Sequence, residues 1–304
     1  MAYPFSGLTV ALITPFRDGD VDYEALCRLV DWHVGQGTDC LAPTGTTGES
    51  PTLDHTEHER VIAAVTERAR GQILVMAGTG SNSTREAIRL TKFAQKVGAD
   101  AALVVGPYYN KPTQEGYYRH FDALAQACDL PMVIYNIPGR TGSNILPETI
   151  ARLAKIPTVI GIKEASGSLD QASQIRALCP GLSLLSGDDS LTLPILSIGG
   201  HGVVSVVGNL VPQDVNRLLK TFAAGRVAEA AALHMRLFPL CRDLLGAATN
   251  PIPIKTAMML LGHDRGELRL PLCWPDDAVQ VRIRQSLEAY GLLKNPALEA
   301  CSRS

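Results

Sequence analysis

The chain has 304 residues, 46% of them hydrophobic and 19% charged, with 28 Lys+Arg against 30 Asp+Glu for a net charge of −2. That composition is wrong for a disordered chain, and the length is enough to bury a large core unaided. The near-neutral balance gives no basic field for nucleic acid or an anionic membrane, and the seven cysteines, with no C-x-x-C pair, suggest neither a disulfide framework nor a zinc ribbon.

Short apolar runs recur along the chain: Val10–Ile13, Cys40–Ala42, Ile73–Ala77, Ala101–Val105, Met132–Tyr135, Val159–Ile162, Leu182–Leu185 and Val203–Val207. Nearly continuous hydrophobicity over four to six residues fits strands buried on both faces of a parallel sheet. Helical patterns fill the gaps, over 22–35, 56–70, 83–97, 114–128, 147–154, 169–178, 190–198 and 212–224. Ser83-Thr-Arg-Glu86 has the spacing of a capping box, and Pro147 stands where a first-turn proline is tolerated.

Eight strand–helix units predict an α/β protein with a (β/α)8 TIM barrel over 1–224; a doubly wound sheet is the alternative. Beyond Ala224 the pattern is helical only, over 227–245, 254–261 and 277–290, which predicts a C-terminal helical extension over 225–304. Asn295 to Ser304 are expected to fray. The charge-free stretch Leu191 to Gln213 is broken by Pro194, Gly199, Gly200 and Gly208, so it reads as a short helix and a buried strand rather than a membrane span. The N-terminus lacks a basic region followed by an apolar run; no secretory signal is expected, and a cytoplasmic location with reduced thiols is the natural reading.

In such a barrel the reacting groups sit after the C-terminal ends of the strands. Lys163 is the anomaly there. It ends Thr158-Val-Ile-Gly-Ile-Lys163, and period-2 alternation puts Val159, Gly161 and Lys163 on one face. If that face points inward, burial lowers the amine's pKa and the neutral amine can attack a carbonyl; a snorkelling lysine, or one paired with Glu164, is the bland alternative. Gly45-Thr46-Thr47-Gly48 offers backbone N–H groups and two hydroxyls to an anion. Tyr135 can place a phenol in the mouth, and Arg140 on the next loop can grip a second carboxylate. Together these groups favour a carbonyl substrate that bears a carboxylate. His55 and His58 share a helix face, but His-Thr-Glu-His is not the H-E-x-x-H zinc pattern, and no dinucleotide fingerprint or Walker loop occurs.

The segments Gly45-Thr46-Thr47-Gly48-Glu49, Tyr135-Asn136-Ile-Pro138-Gly-Arg140-Thr141-Gly142 and Gly161-Ile-Lys163-Glu164 resemble the signatures of the dihydrodipicolinate synthase/N-acetylneuraminate lyase family. Pro107-Tyr-Tyr-Asn110, Leu185-Ser-Gly-Asp-Asp189 and Asn250-Pro-Ile-Pro253 extend the resemblance from about Phe5 to Leu293. It implies Schiff-base condensation of pyruvate with L-aspartate 4-semialdehyde, on the route to diaminopimelate and lysine, with no added cofactor or metal. Sialic-acid or 2-keto-3-deoxy sugar-acid cleavage is the alternative; the Thr46-Thr47 pair and Arg140 favour the condensation.

By resemblance, Lys163 forms the imine, Tyr135 relays protons, and Thr47 links Tyr135 to a Tyr109 donated by a neighbouring subunit. Thr46 and Thr47 hold the pyruvate carboxylate, Arg140 binds the semialdehyde, and Gly187 and Val204 lie near the substrate through backbone groups. The resemblance further implies a homotetramer, a dimer of dimers. It also implies feedback inhibition by L-lysine at Ser50, His55, His58, Asn82, Glu86 and Tyr108, with Pro51 departing from the alanine usual after Ser50.

Overall fold

Eight short parallel strands close into a barrel in the computed structural model, which describes residues 5–294. The strands are β1 Gly7–Ala11, β2 Cys40–Ala42, β3 Leu74–Gly78, β4 Ala101–Val105, β5 Met132–Asn136, β6 Val159–Glu164, β7 Ser183–Ser186 and β8 Gly202–Ser205, each pairing with its neighbours in chain order and β8 closing on β1. An outer ring is built by α1 Tyr23–Gln36, α2 His55–Ala69, α3 Thr84–Val97, α4 Gln114–Ala127, α5 Pro147–Leu153, α6 Leu169–Leu178, α7 Thr192–Ser197 and α8 Pro212–Ala223. Three further helices follow, α9 Val227–Gly246, α10 Ile252–Leu260 and α11 Asp277–Tyr290. The barrel expected from the eight units is therefore observed, with strand and helix ends within a few residues of the sequence reading. The expectation about Asn295 to Ser304 lies outside the described residues.

The apolar runs work as predicted because each strand is covered on both sides. Inside the barrel, Ala11, Cys40, Ala42, Met76, Ala101, Leu103, Val133, Leu185 and Val204 form a small cluster, plugged by Phe5. Leu8, Val10, Leu41, Val75, Ile134, Ile162 and Leu184 face the other way and join the core between strands and helices. One strand departs from simple alternation. Val159 belongs to the outer core and Ile160 packs against the inner cluster, the reverse of the expected faces. A register shift between Met132 and Val133 on the neighbouring strand accompanies this; beyond it Gly161 pairs with Val133, and Lys163 with Tyr135.

One local expectation needs correction. Ser83 precedes α3 without a side-chain capping bond, because Glu86 accepts instead from the Ser81 hydroxyl and pairs with His55. A genuine capping box stands at α2, where the Asp54 side chain and the Glu57 side chain each bond the other's backbone N–H. Glu49, which precedes a short 3-10 helix over Ser50–Thr52, has a left-handed backbone with φ 53° and a buried carboxylate.

That carboxylate anchors the C-terminal helices to the barrel. Glu49 Oε1 accepts from Lys255 Nζ at 2.7 Å, and both side chains are 0% exposed. Lys255 also donates to the Thr14 carbonyl, and the Arg269 backbone N–H reaches Glu49 Oε2. Phe16, in a two-residue hairpin of Phe16–Arg17 with Asp20–Val21 that the sequence pattern did not reveal, lies 4.2 Å from the Lys255 amine and 4.4 Å from the Arg269 guanidinium. Removing one member of a buried pair leaves the other charge without compensation. Lys255→Met should therefore destabilise the fold by about 3–5 kcal/mol in urea unfolding. Glu49→Gln/Lys255→Met should recover part of that loss. A single variant as stable as the wild type would refute the anchoring.

Candidate functional site

The C-terminal ends of β2, β5, β6, β7 and β8 converge on one mouth. Lys163, the fifth residue of β6, points inward and is 6% exposed. Gly161 beneath it leaves room: a Cβ there would stand 3.0 Å from the Ser183 carbonyl. Gly187 after β7 is equally constrained, since a Cβ would meet the Lys163 Cγ at 3.1 Å and the Ala165 Cβ at 2.5 Å. Because β5 and β6 pair Tyr135 directly with Lys163, the amine sits 4.0 Å from the centre of the Tyr135 ring. Lys163 is not paired with Glu164, whose carboxylate lies on the other face and accepts from Asn136, Gln171 and the Ser166 N–H.

Electrostatics follow from this burial. Desolvation pulls the Lys163 pKa down to about 7; Asp189 opposes the shift and Arg140 adds to it. Burial pushes the Tyr135 phenol up to about 12, against the pull of Arg140 and a hydrogen bond with the Thr46 side chain, so it is protonated at neutral pH. Asp189 is also buried and its carboxyl is pushed up to about 6, although the Ser205 hydroxyl and the Val206 and Val207 N–H groups donate to it. At neutral pH the mouth thus offers an amine that is about half unprotonated, a phenol able to donate, and a carboxylate held away from solvent.

The structure brings most of the sequence-selected residues together. The Tyr135 phenol interacts with the Thr46 side chain. The Thr47 hydroxyl accepts instead from the Asn250 side-chain amide at 3.1 Å. Val204 is in the inner cluster beside Tyr135. Arg140, at the end of a short helix over Pro138–Thr141, donates from Nη2 to the Asn250 carbonyl at 3.0 Å. Tyr109 stands apart from this group, 89% exposed and with φ at 71°, a conformation uncommon for a bulky residue.

A cavity of about 580 Å³ runs outward from Thr46 and Arg140. Ser50, His55, His58, Glu86 and Tyr108 line it, but Asn82 does not; the Asn82 carbonyl accepts from the Asn110 amide. His55 Nδ1 lies 3.2 Å from Glu86, and His58 Nε2 lies 2.8 Å from the Gly78 carbonyl. Burial keeps His58 below the usual imidazole range despite that bond, so it is neutral and donates to the carbonyl. Among the described residues, no group of three or more His, Cys, Asp or Glu side chains is placed to hold a metal ion, and no helix is long and apolar enough to cross a membrane.

Two members of the site were not assigned roles from sequence. Asp189 stands in a loop that strand position did single out, but its burial is a tertiary fact. Asn250 lies 203 residues from Thr47, so no local pattern connects them.

Comparison with known proteins agrees with the fold and the motifs. The family model described as "Dihydrodipicolinate synthetase family" matches residues 4–290. A 4-hydroxy-tetrahydrodipicolinate synthase of Endomicrobium trichonymphae is 51% identical over 291 residues, covering 95% of this chain and 100% of the relative. The crystal structure of dihydrodipicolinate synthase from Aquifex aeolicus superposes with a TM-score of 0.94 at 48% identity, covering 96% of this chain and 100% of that one. A dihydrodipicolinate synthase from Cyanidioschyzon merolae, solved with lysine bound, superposes with a TM-score of 0.92 at 43% identity, covering 95% and 99% of the two chains. The inward lysine, its phenol partner and the threonine turn thus sit in a chain that belongs to the dihydrodipicolinate synthetase family.

Proposed function

We propose that the chain joins pyruvate to L-aspartate 4-semialdehyde through a Schiff base, as a lyase forming 4-hydroxy-tetrahydrodipicolinate on the route to diaminopimelate and lysine. The observation that carries this reading is the desolvated Lys163 amine against Tyr135 in the barrel mouth. A lysine of ordinary pKa would be almost wholly protonated at pH 7, roughly one neutral amine in three thousand, whereas a pKa of about 7 leaves about half of it nucleophilic.

The neutral amine attacks C2 of pyruvate, and the carbinolamine loses water once its hydroxyl is protonated. The protonated imine withdraws electrons from the C2–C3 bond region, so C3 loses a proton and becomes an enamine carbon. That carbon attacks the aldehyde, whose oxygen takes a proton. The amino group of the former semialdehyde then displaces Lys163 at C2, closing the ring and regenerating the free amine. The imine is itself the electron sink, so this chemistry calls on no further cofactor. Tyr135, in this reading, delivers and recovers these protons; its protonated state at neutral pH and its interaction with Thr46 support that role. In this reading Thr46 takes the relay position and Thr47, with the backbone of its turn, faces the pyruvate carboxylate. Arg140 meets the carboxylate of the semialdehyde, and Gly187 and Val204 border the bound substrate.

Tyr109 completes the relay from a neighbouring subunit in this reading, within a tetramer built from two dimers acting in the cytoplasm. Its near-full exposure and left-handed backbone are what support the assignment, since an isolated chain gives that side chain nothing to pack on. L-Lysine is the proposed inhibitor in the outer cavity, where Glu86 and His55 can meet its charged ends and Ser50, His58 and Tyr108 add polar contacts. Asn82 belongs to that set only if ligand binding turns it inward.

Borohydride reduction with pyruvate should attach one reduced adduct per chain at Lys163, and peptide mapping that finds it elsewhere would refute the assignment. At subsaturating pyruvate the trapping rate should rise with pH through about 7, falling roughly tenfold per unit below it, because only the unprotonated amine reacts. Asp189→Asn should move that midpoint lower, since it deletes the negative charge that holds the proton on. Tyr109→Phe should lower kcat by ~10²–10⁴-fold if its hydroxyl relays protons; a full-rate variant would remove it from the relay. Initial rates should fall with millimolar L-lysine in the wild type and much less in Glu86→Ala. An insensitive wild type would end the regulatory proposal, and equal inhibition of both proteins would end the site.

A further inference from the structure

We propose that Asn250 is a positioning residue that aims the Thr47 hydroxyl at the pyruvate carboxylate and ties that threonine to Arg140. The proposal rests on the Schiff-base reading above and adds a role for the C-terminal helices in it. Asn250 lies between α9 and α10, yet it makes two contacts across the barrel mouth. Its side-chain Nδ2 donates to Thr47 Oγ1 at 3.1 Å, and its main-chain carbonyl accepts from Arg140 Nη2 at 3.0 Å. One residue therefore touches the groups assigned to the carboxylates of both substrates.

The direction of the first bond matters. A threonine hydroxyl has one proton to donate and two lone pairs to accept with. With Asn250 donating to it, the hydroxyl's own proton is left for another acceptor. Thr47 is 3% exposed, so its choice of partners is narrow. The other end of the Asn250 amide is consistent with a group held for its donor alone: Oδ1 is buried and makes no hydrogen bond. An aspartate at 250 would invert the arrangement. Its carboxylate would accept the Thr47 proton and place a negative charge beside the pyruvate site. The second contact uses the Asn250 backbone, so side-chain variants leave Arg140 its acceptor.

The test is steady-state kinetics of the full-length protein with both substrates. Asn250→Ala should raise the pyruvate KM roughly tenfold, the scale of one lost hydrogen bond at a binding group, while kcat and the semialdehyde KM stay within about twofold. Asn250→Asp, nearly identical in shape, should raise the pyruvate KM by roughly another tenfold, because a charged acceptor replaces a neutral donor. Thr47→Val should raise the pyruvate KM at least as much as Asn250→Ala, and the double variant should be no worse than Thr47→Val alone, since Asn250 acts only through the Thr47 hydroxyl. An unchanged pyruvate KM in Asn250→Ala would overturn the proposal, as would effects that multiply in the double variant. If Asn250→Ala fails to fold, Asn250→Asp decides alone, and a wild-type pyruvate KM there overturns it. Wild-type protein that is not trapped by borohydride with pyruvate would refute the Schiff-base reading itself, an outcome separate from any behaviour of the variants.

Discussion

The buried pair between Glu49 and Lys255 is the contact on which the geometry of the mouth depends. It closes the turn that carries Thr46 and Thr47 against a helix more than 200 residues away, with both side chains fully buried. Two charges in an apolar interior are tolerated only when their hydrogen-bonding capacity is met. Here Lys255 has Glu49, the Thr14 carbonyl and the Phe16 ring, and Glu49 has the Arg269 N–H as well. Glu49 accepts a left-handed backbone to reach this partner, and that conformation ends the threonine turn where it does. The threonine turn and the extension thus form a single object.

Lys163 and Lys255 show how the same side chain serves opposite ends. Both are buried, and desolvation lowers both pKa values. Lys255 is met by a carboxylate at hydrogen-bond distance, which holds it as a cation and makes it a fastener. Lys163 faces a neutral phenol, and its nearest negative influence, Asp189, is already committed to Ser205, Val206 and Val207. The unmatched amine gives up its proton near neutrality. The difference between the two lysines is therefore a matter of withheld compensation rather than of burial as such.

Much of this was legible in the sequence. The strands announce themselves because each lies between an inner cluster and a ring of helices, so apolar runs are unbroken. Lys163 stands out because a charged residue interrupts such a run after a glycine. What could not be read were the features set by contact between distant segments. The Asn250 amide that meets Thr47 comes from a segment 203 residues away. The faces of Val159 and Ile160 are inverted by a register irregularity that leaves Ile160 without a partner between Met132 and Val133 of the neighbouring strand. The Phe16 hairpin has only two residues per strand, too few for any periodicity to register. Ser83 and Glu86 have the right spacing for a cap, yet Ser81 and His55 compete for the carboxylate.

The way α10 is wired into the threonine turn also bears on recombination among related chains. A natural cut for exchanging modules would fall near Ala224, where the last strand–helix unit ends. A crossover there separates Glu49 from Lys255 and Thr47 from Asn250, so a hybrid inherits each half of two contacts from different parents. Chimeras should survive where both parents carry the same four residues, and fail where one parent has reassigned any of them. The extension is thus inherited with the front of the barrel as a linked set, although the two lie at opposite ends of the polypeptide.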